Sequence, residues 1–229
     1  MKPLIQLKNV WKTYKMGENM VSALQGINIT VRQGEFVAIQ GPSGSGKSTA
    51  MNLIGCLDVP TKGQILLDGH DISKLSESDL AQIRGQKIGF VFQKFNLIET
   101  LTALENVTLP MTFQGIPASQ RIKRAQTLLQ QFGLGERMDH QPNQLSGGQQ
   151  QRVAIARSLA IDPPVILADE PTGNLDSKTG KEVMSFLREL NEKHGKTIVL
   201  VTHDDVLAHS ADRIEFLKDG KITQSKKVK

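Results

Sequence analysis

Gly41-Pro42-Ser43-Gly44-Ser45-Gly46-Lys47-Ser48-Thr49 has the form G-x-x-x-x-G-K-[ST]. The apolar run before it, Phe36-Val37-Ala38-Ile39, predicts a buried strand, and Ala50-Met51-Asn52-Leu53-Ile54 after it predicts a helix. Strand, glycine loop and helix are the setting in which this pattern binds phosphate. The glycines let the backbone wrap closely and aim its N–H groups inward at phosphate oxygens. The helix start adds unpaired donors and a partial positive charge. Lys47 would reach the β- and γ-phosphates of a nucleotide, and the Ser48 hydroxyl would ligate Mg2+.

Upstream, Leu4 to Lys8, Val10 to Tyr14 and Ile27 to Val31 are rich in β-favouring residues, with turn signals at Gln33-Gly34 and Asp68-Gly69. They predict an antiparallel β layer leading into the loop strand. Tyr14 is the chain's only tyrosine. It could stack on a nucleotide base or pack on its own sheet as an edge-strand aromatic.

Downstream, three more apolar runs end at polar residues. Ile88-Gly89-Phe90-Val91-Phe92 ends at Gln93, Val165-Ile166-Leu167-Ala168 at Asp169-Glu170, and Thr197 to Thr202 at His203. In open α/β sheets ligands gather at the carboxyl ends of strands, so these polar ends are candidate site residues. Two adjacent carboxylates suit a shared cation: Asp169 would hold Mg2+, and Glu170 would polarise an attacking water. His203 could donate to a γ-phosphate. The other histidines, His70, His140, His194 and His209, lack such a setting.

Ala118 to Phe132 places Ile122, Ala125, Leu128, Leu129 and Phe132 on one helical face, with Gly133 as a stop. Lys178 to Glu192 predicts a helix burying Val183, Phe186, Leu187 and Leu190. Leu145-Ser146-Gly147-Gly148-Gln149 precedes a helix expected from about Gln150 to Ala160; Ser146 would cap it, or the segment would form a second anion site. Arg213 to Leu217, Asp219-Gly220 and Lys221 to Thr223 predict a closing hairpin.

Composition narrows the classes. A hydrophobic content of 38% and a charged content of 22% describe an ordinary globular chain. No apolar run approaches the roughly 20 residues that span a bilayer, and none resembles a signal peptide, so the chain is expected to stay where it is made. The lone Cys56 cannot form an internal disulfide; it is expected to be a small core residue in a reducing compartment. The net charge is +5, part of it in Lys226-Lys227-Val228-Lys229, expected to be a solvated tail. Aromatics are 4% and there is no aromatic–basic interleaving or zinc spacing, so nucleic acid is not an expected partner.

Together the motifs resemble the ATP-binding subunit of ABC transporters over about Leu4 to Thr223. Leu145 to Gln149 matches the family signature and Asp169-Glu170 the Walker B ending. Gln93 matches the Q-loop, His203 the switch histidine, Tyr14 the adenine-stacking aromatic, and Asn174-Leu175-Asp176 the D-loop. The runs Ile88 to Gln93, Leu101 to Val107, Ala168 to Ser177 and Ile54-Gly55-Cys56-Leu57-Asp58 resemble the LolD/MacB branch; the cell-division ATPase FtsE is related. Glu99 departs from the proline that many members carry there.

The resemblance implies one α/β domain over 1–229, a P-loop NTPase with a RecA-like core, an antiparallel β subdomain and a helical subdomain near 94–150. It implies ATP and Mg2+, with Ser48, Gln93 and Asp169 toward the metal and Glu170, His203 and Gln93 toward catalysis. Tyr14, Gly41 to Thr49, Ser146, Gly147, Gly148, Gln149 and Asp176 would bind nucleotide. It implies an ATP-dependent head-to-tail homodimer and an integral-membrane permease, placing the chain on the cytoplasmic face of the membrane. Two other readings stay open: a soluble clamp on nucleic acid or ribosomes, and an FtsE-like regulatory ATPase.

Overall fold

The computed structural model describes residues 2–228. They form two compact units: one comprises the chain up to Arg84 together with Arg188 onward, and the other is Gly85–Leu187.

The first unit contains an antiparallel sheet of β1 (Pro3–Met16), β2 (Asn19–Arg32), β4 (Lys62–Leu67) and β5 (His70–Asp71), in the order β2-β1-β4-β5. The two runs read separately as Leu4 to Lys8 and Val10 to Tyr14 are one strand. Its register slips between Leu7 and Val10, where Asn9 takes a φ of 49° and its N–H donates to the Asn28 side chain at 2.9 Å. Asparagine tolerates that left-handed backbone, so a bulge replaces a break.

The same unit holds β3 (Phe36–Gln40), flanked by two parallel neighbours, β8 (Thr197–Thr202) and β9 (Arg213–Lys218). Phe36 to Ile39 and all six residues of β8 are buried. A parallel sheet covered on both faces requires such uninterrupted apolar runs, which is why they were legible. Asp219 and Gly220 turn β9 into the antiparallel β10 (Lys221–Lys227). Lys226 and Lys227 therefore belong to a ladder, paired with Ile214 and Arg213, and are not a loose tail; Lys229 lies outside the described residues. Their exposed charges line an edge strand, where lysines discourage pairing with another chain. Cys56 is buried, and burial pushes its thiol up to about 11, as suits a core residue.

The second unit pairs β6 (Ile88–Phe92) in parallel with β7 (Val165–Asp169), Phe92 opposite Asp169. Its helices are α3 (Ala103–Phe113), α4 (Ala118–Gln131), α5 (Gly147–Ser158) and α6 (Ser177–His194), the last continuing into the first unit's residues. Thr102 and Glu105 form a capping box on α3. Fully buried Asn106 donates to the carbonyls of Ile98, Leu101 and Thr102, tying the segment after β6 to α3.

Two core assignments need correcting. Ile122 is 41% exposed, because the packed face of α4 begins at Ala125. Phe186 is half-buried, its ring tilted against Phe132 at 5.2 Å. Among the described residues no helix is long and apolar enough to cross a membrane.

Candidate active site

In the first unit, α1 (Lys47–Ile54) starts earlier than its apolar run suggested, at Lys47 itself. Its N-cap is Gly46, with no side-chain cap and no acidic residue in the first turn. The N–H groups of that turn are therefore left to an incoming anion. Gly46 has a φ of 105°, and a Cβ there would overlap the Ala23 carbonyl oxygen. The loop is held from behind, where the Gly220 N–H donates to the Ser45 carbonyl at 3.0 Å. The Ser45 hydroxyl is buried with no hydrogen-bond partner among the described residues, and an orphaned polar atom beside an uncapped helix start suits a phosphate oxygen. Lys47 is nearly buried and bends over its own loop, donating to the Gly41 and Pro42 carbonyls at 2.8 and 2.9 Å. Ser48 presents an exposed hydroxyl.

Replacing Gly46 by Ala should therefore deform the loop: we expect a lower Tm and the loss of most nucleotide affinity, read by calorimetry. An unchanged affinity would show that the loop does not need this close approach.

Also in this unit, Tyr14 is half-buried on β1, and its hydroxyl donates to Asp58 at 3.0 Å. His203 is exposed directly after β8. Beside it Asp204 caps α7 (Asp205–Ala208), accepting from the N–H groups of Val206 and Leu207. Gln40, at the end of β3, has a buried Oε1 without a partner among the described residues, while its Nε2 donates to Asp205 at 3.2 Å.

In the second unit, β7 delivers Asp169 at its last position, and Glu170 follows with a φ of 45°. The Gly173 N–H closes the turn on the Glu170 carbonyl at 3.0 Å. Gln93 follows β6 and is clasped by Asn174: the Asn174 amide donates to the Gln93 carbonyl at 3.0 Å. Ser146 caps α5 in a full capping box with Gln149, so α5 begins at Gly147 and the expectation of Gln150 was three residues late. Gly148 packs so closely on Thr179 that a Cβ would overlap its methyl group. Thr179 in turn donates its hydroxyl to Asp176 at 2.6 Å, and Asp176 also accepts from the N–H groups of Lys178 and Thr179. Those hydrogen bonds, the Thr179 hydroxyl first, hold its carboxyl below the usual carboxylate range. Gly148 and Asp176 are thus joined through one side chain.

The family profile described as ABC transporter matches residues 24–173, spanning the phosphate loop, Gln93, the Ser146 segment and Asp169-Glu170. The chain belongs to the ABC transporter family. It is an ATP-binding, ATP-hydrolysing subunit of that family, with the α/β cassette fold. It is 56% identical over 99% of its length to 98% of MJ0796, an ABC transporter ATP-binding protein of Methanocaldococcus jannaschii. A Thermotoga maritima ABC transporter ATP-binding protein is 55% identical over 97% of this chain and 94% of its own. The macrolide export ATP-binding/permease protein MacB of Brucella melitensis is 53% identical over 96% of this chain but only 34% of MacB. Among solved structures, a dimeric post-hydrolysis state of MJ0796 bound to ADP and Pi has a TM-score of 0.91 and 53% identity, covering 99% of both chains. These relatives favour the transporter reading over the nucleic-acid clamp.

The ABC subunit also uses residues that motif reading passed over. Gln151, fully buried on α5, donates to the Pro171 carbonyl at 2.5 Å and lies 3.4 Å from that of Phe92. Arg157, on the same helix, donates to the Asn96 and Phe95 carbonyls at 2.5 and 2.9 Å. The helix that Ser146 caps therefore anchors the backbone leaving β6 and β7. One signal was available: Gln151 stands three and four residues before Ala154 and Ile155, on the same helical face as those apolar residues.

Proposed function

We propose that this subunit energises an integral-membrane permease of the MacB/LolD type, closing with a second copy of itself head to tail over ATP. The observation that carries the phosphate part is the uncapped start of α1 beside the orphaned Ser45 hydroxyl. In this reading Gly41 to Thr49 wrap the phosphates, Lys47 exchanges its two loop carbonyls for the β- and γ-phosphates, and Tyr14 stacks on the base. Ser48, Gln93 and Asp169 offer only oxygen donors, which suits Mg2+. When bound, Mg2+ neutralises charge on the phosphate oxygens. Glu170 accepts the proton of the attacking water, and His203 donates to the γ-phosphate. Ser146, Gly147, Gly148 and Gln149 meet the γ-phosphate of the second copy, with Asp176 beside that closure.

Only a state that contacts the γ-phosphate gains this stabilisation, so ATP favours closure and ADP does not. Gln93 is suited to relay the change to the permease. The subunit would work on the cytoplasmic face of the membrane.

Removing Lys47 tests the phosphate assignment. A charge-assisted hydrogen bond contributes about 1.5–3 kcal/mol, so Lys47→Ala should weaken ATP about 10- to 100-fold in a calorimetric titration. Unchanged affinity would remove Lys47 from the site. The partner is tested by affinity capture with the Glu170→Gln chain from detergent-solubilised membranes in ATP and Mg2+. Recovery of a permease with a large extracytoplasmic domain is expected; recovery of nucleic acid or ribosomes with no membrane protein would overturn the assignment.

A further inference from the structure

The run Ile54 to Asp58 has no part in the roles above, yet it ends in a hydrogen-bonded cluster around Tyr14. The Tyr14 hydroxyl donates to Asp58 Oδ2 at 3.0 Å. Lys12 Nζ donates to Asp58 Oδ1 at 2.5 Å and to the Val59 carbonyl at 2.8 Å, and stands 5.0 Å from the centre of the Tyr14 ring. The Val59 N–H fixes the same carboxylate oxygen at 2.8 Å. The Lys12 and Asp58 side chains are 12% and 27% exposed, so the pair is partly shielded from water. Burial alone would raise the Asp58 carboxyl, but the hydrogen bonds from Lys12, Val59 and Tyr14 outweigh it and hold the group below the usual carboxylate range.

A tyrosine at the end of a long hairpin has its backbone set by the strand and its ring set by whatever holds the hydroxyl. Here the hydroxyl is tied to Asp58, just beyond the helix that the phosphate loop opens. The ring plane is therefore referenced to the segment that follows that helix. Lys12 lies over the ring, where a cation is attracted to the π-face.

We propose that Asp58 and Lys12 are positioning residues that lock the Tyr14 ring as a platform for the nucleotide base at a set distance from the phosphate loop. The proposal rests on the reading that Tyr14 stacks on that base. Stacking accepts any purine face, so the device favours nucleotides over bare polyphosphates without choosing among purines.

The test compares ATP, ADP and inorganic tripolyphosphate by calorimetry on the full chain carrying Asp58→Ala, Asp58→Asn, Tyr14→Phe, Tyr14→Ala or Asp58→Ala with Tyr14→Phe. Misplaced stacking should weaken ATP and ADP about three- to tenfold in Asp58→Ala and leave tripolyphosphate unchanged. Asp58→Asn keeps an acceptor for the hydroxyl and should fall between. The double variant should bind no more weakly than Tyr14→Phe. As Tyr14 is the only tyrosine, ultraviolet titration of its phenol gives a second reading: Asp58→Ala should lower its midpoint. If tripolyphosphate weakens as much as ATP, Asp58 supports the loop and the proposal fails. If Tyr14→Ala weakens ATP but Asp58→Ala does not, positioning fails while base stacking stands. If Tyr14→Ala leaves ATP affinity intact, the stacking reading itself falls.

Discussion

Replacing Glu170 by Gln should slow turnover about 100- to 10,000-fold, the span general-base catalysis supplies, while leaving ATP binding in place. Glutamine has the shape of glutamate and can follow the same backbone, φ 45° included, with the Gly173 N–H still closing the turn on residue 170. It cannot take a proton from water. In the proposed site the glycine loop and Lys47 hold the phosphates, and the change does not touch them. ATP should then accumulate unhydrolysed, and the closed dimer with it. Phosphate release measures the first effect, and light scattering with ATP and Mg2+ the second. Normal turnover would remove Glu170 from its role.

Ser146→Asp separates capping from phosphate recognition at the start of α5. The serine hydroxyl accepts from the Gln149 N–H at 3.3 Å, and the Gln149 side chain accepts from the Ser146 N–H at 2.9 Å. Aspartate caps a helix as well as serine does and is favoured by the helix dipole, so Tm should hold or rise. Its charge, however, occupies the anion site that the γ-phosphate of a second chain would need. Like charges brought together cost several kcal/mol, so turnover should fall by about 100-fold or more. ATP affinity of the monomer should not change, because in the head-to-tail proposal the affected ligand belongs to the other copy. An equal fall in monomer affinity would place the γ-phosphate in the same chain and end the head-to-tail model.

Both variants act at residues that could be found in the chain alone, and the reason is physical. A strand covered on both faces must be apolar throughout, so Phe36 to Ile39, Val165 to Ala168 and Thr197 to Val201 announced themselves. Each ends where polarity resumes, and that is where Asp169, Glu170 and His203 stand. Local chemistry with a fixed offset was equally open: the Ser146 cap with Gln149 three residues on, the Asp219-Gly220 turn, the Gly133 stop.

Contacts between distant residues were not open. That two strand-like runs are one bulged β1 depends on the backbone at Asn9 and its bond to Asn28 on the neighbouring strand. That Ile122 faces water follows from where the packing on α4 starts, which periodicity along one helix does not encode. The Thr179 methyl against Gly148, Gln151 under the Pro171 carbonyl and Asp58 beneath the Tyr14 hydroxyl each join residues 20 to 44 positions apart. Residue types and spacing were enough to identify the family and nominate the groups proposed to act on ATP, because phosphate chemistry demands particular side chains at short fixed intervals. How those groups are held was settled by packing, because a hydrogen bond or a van der Waals contact depends on distance in space and not on separation along the chain.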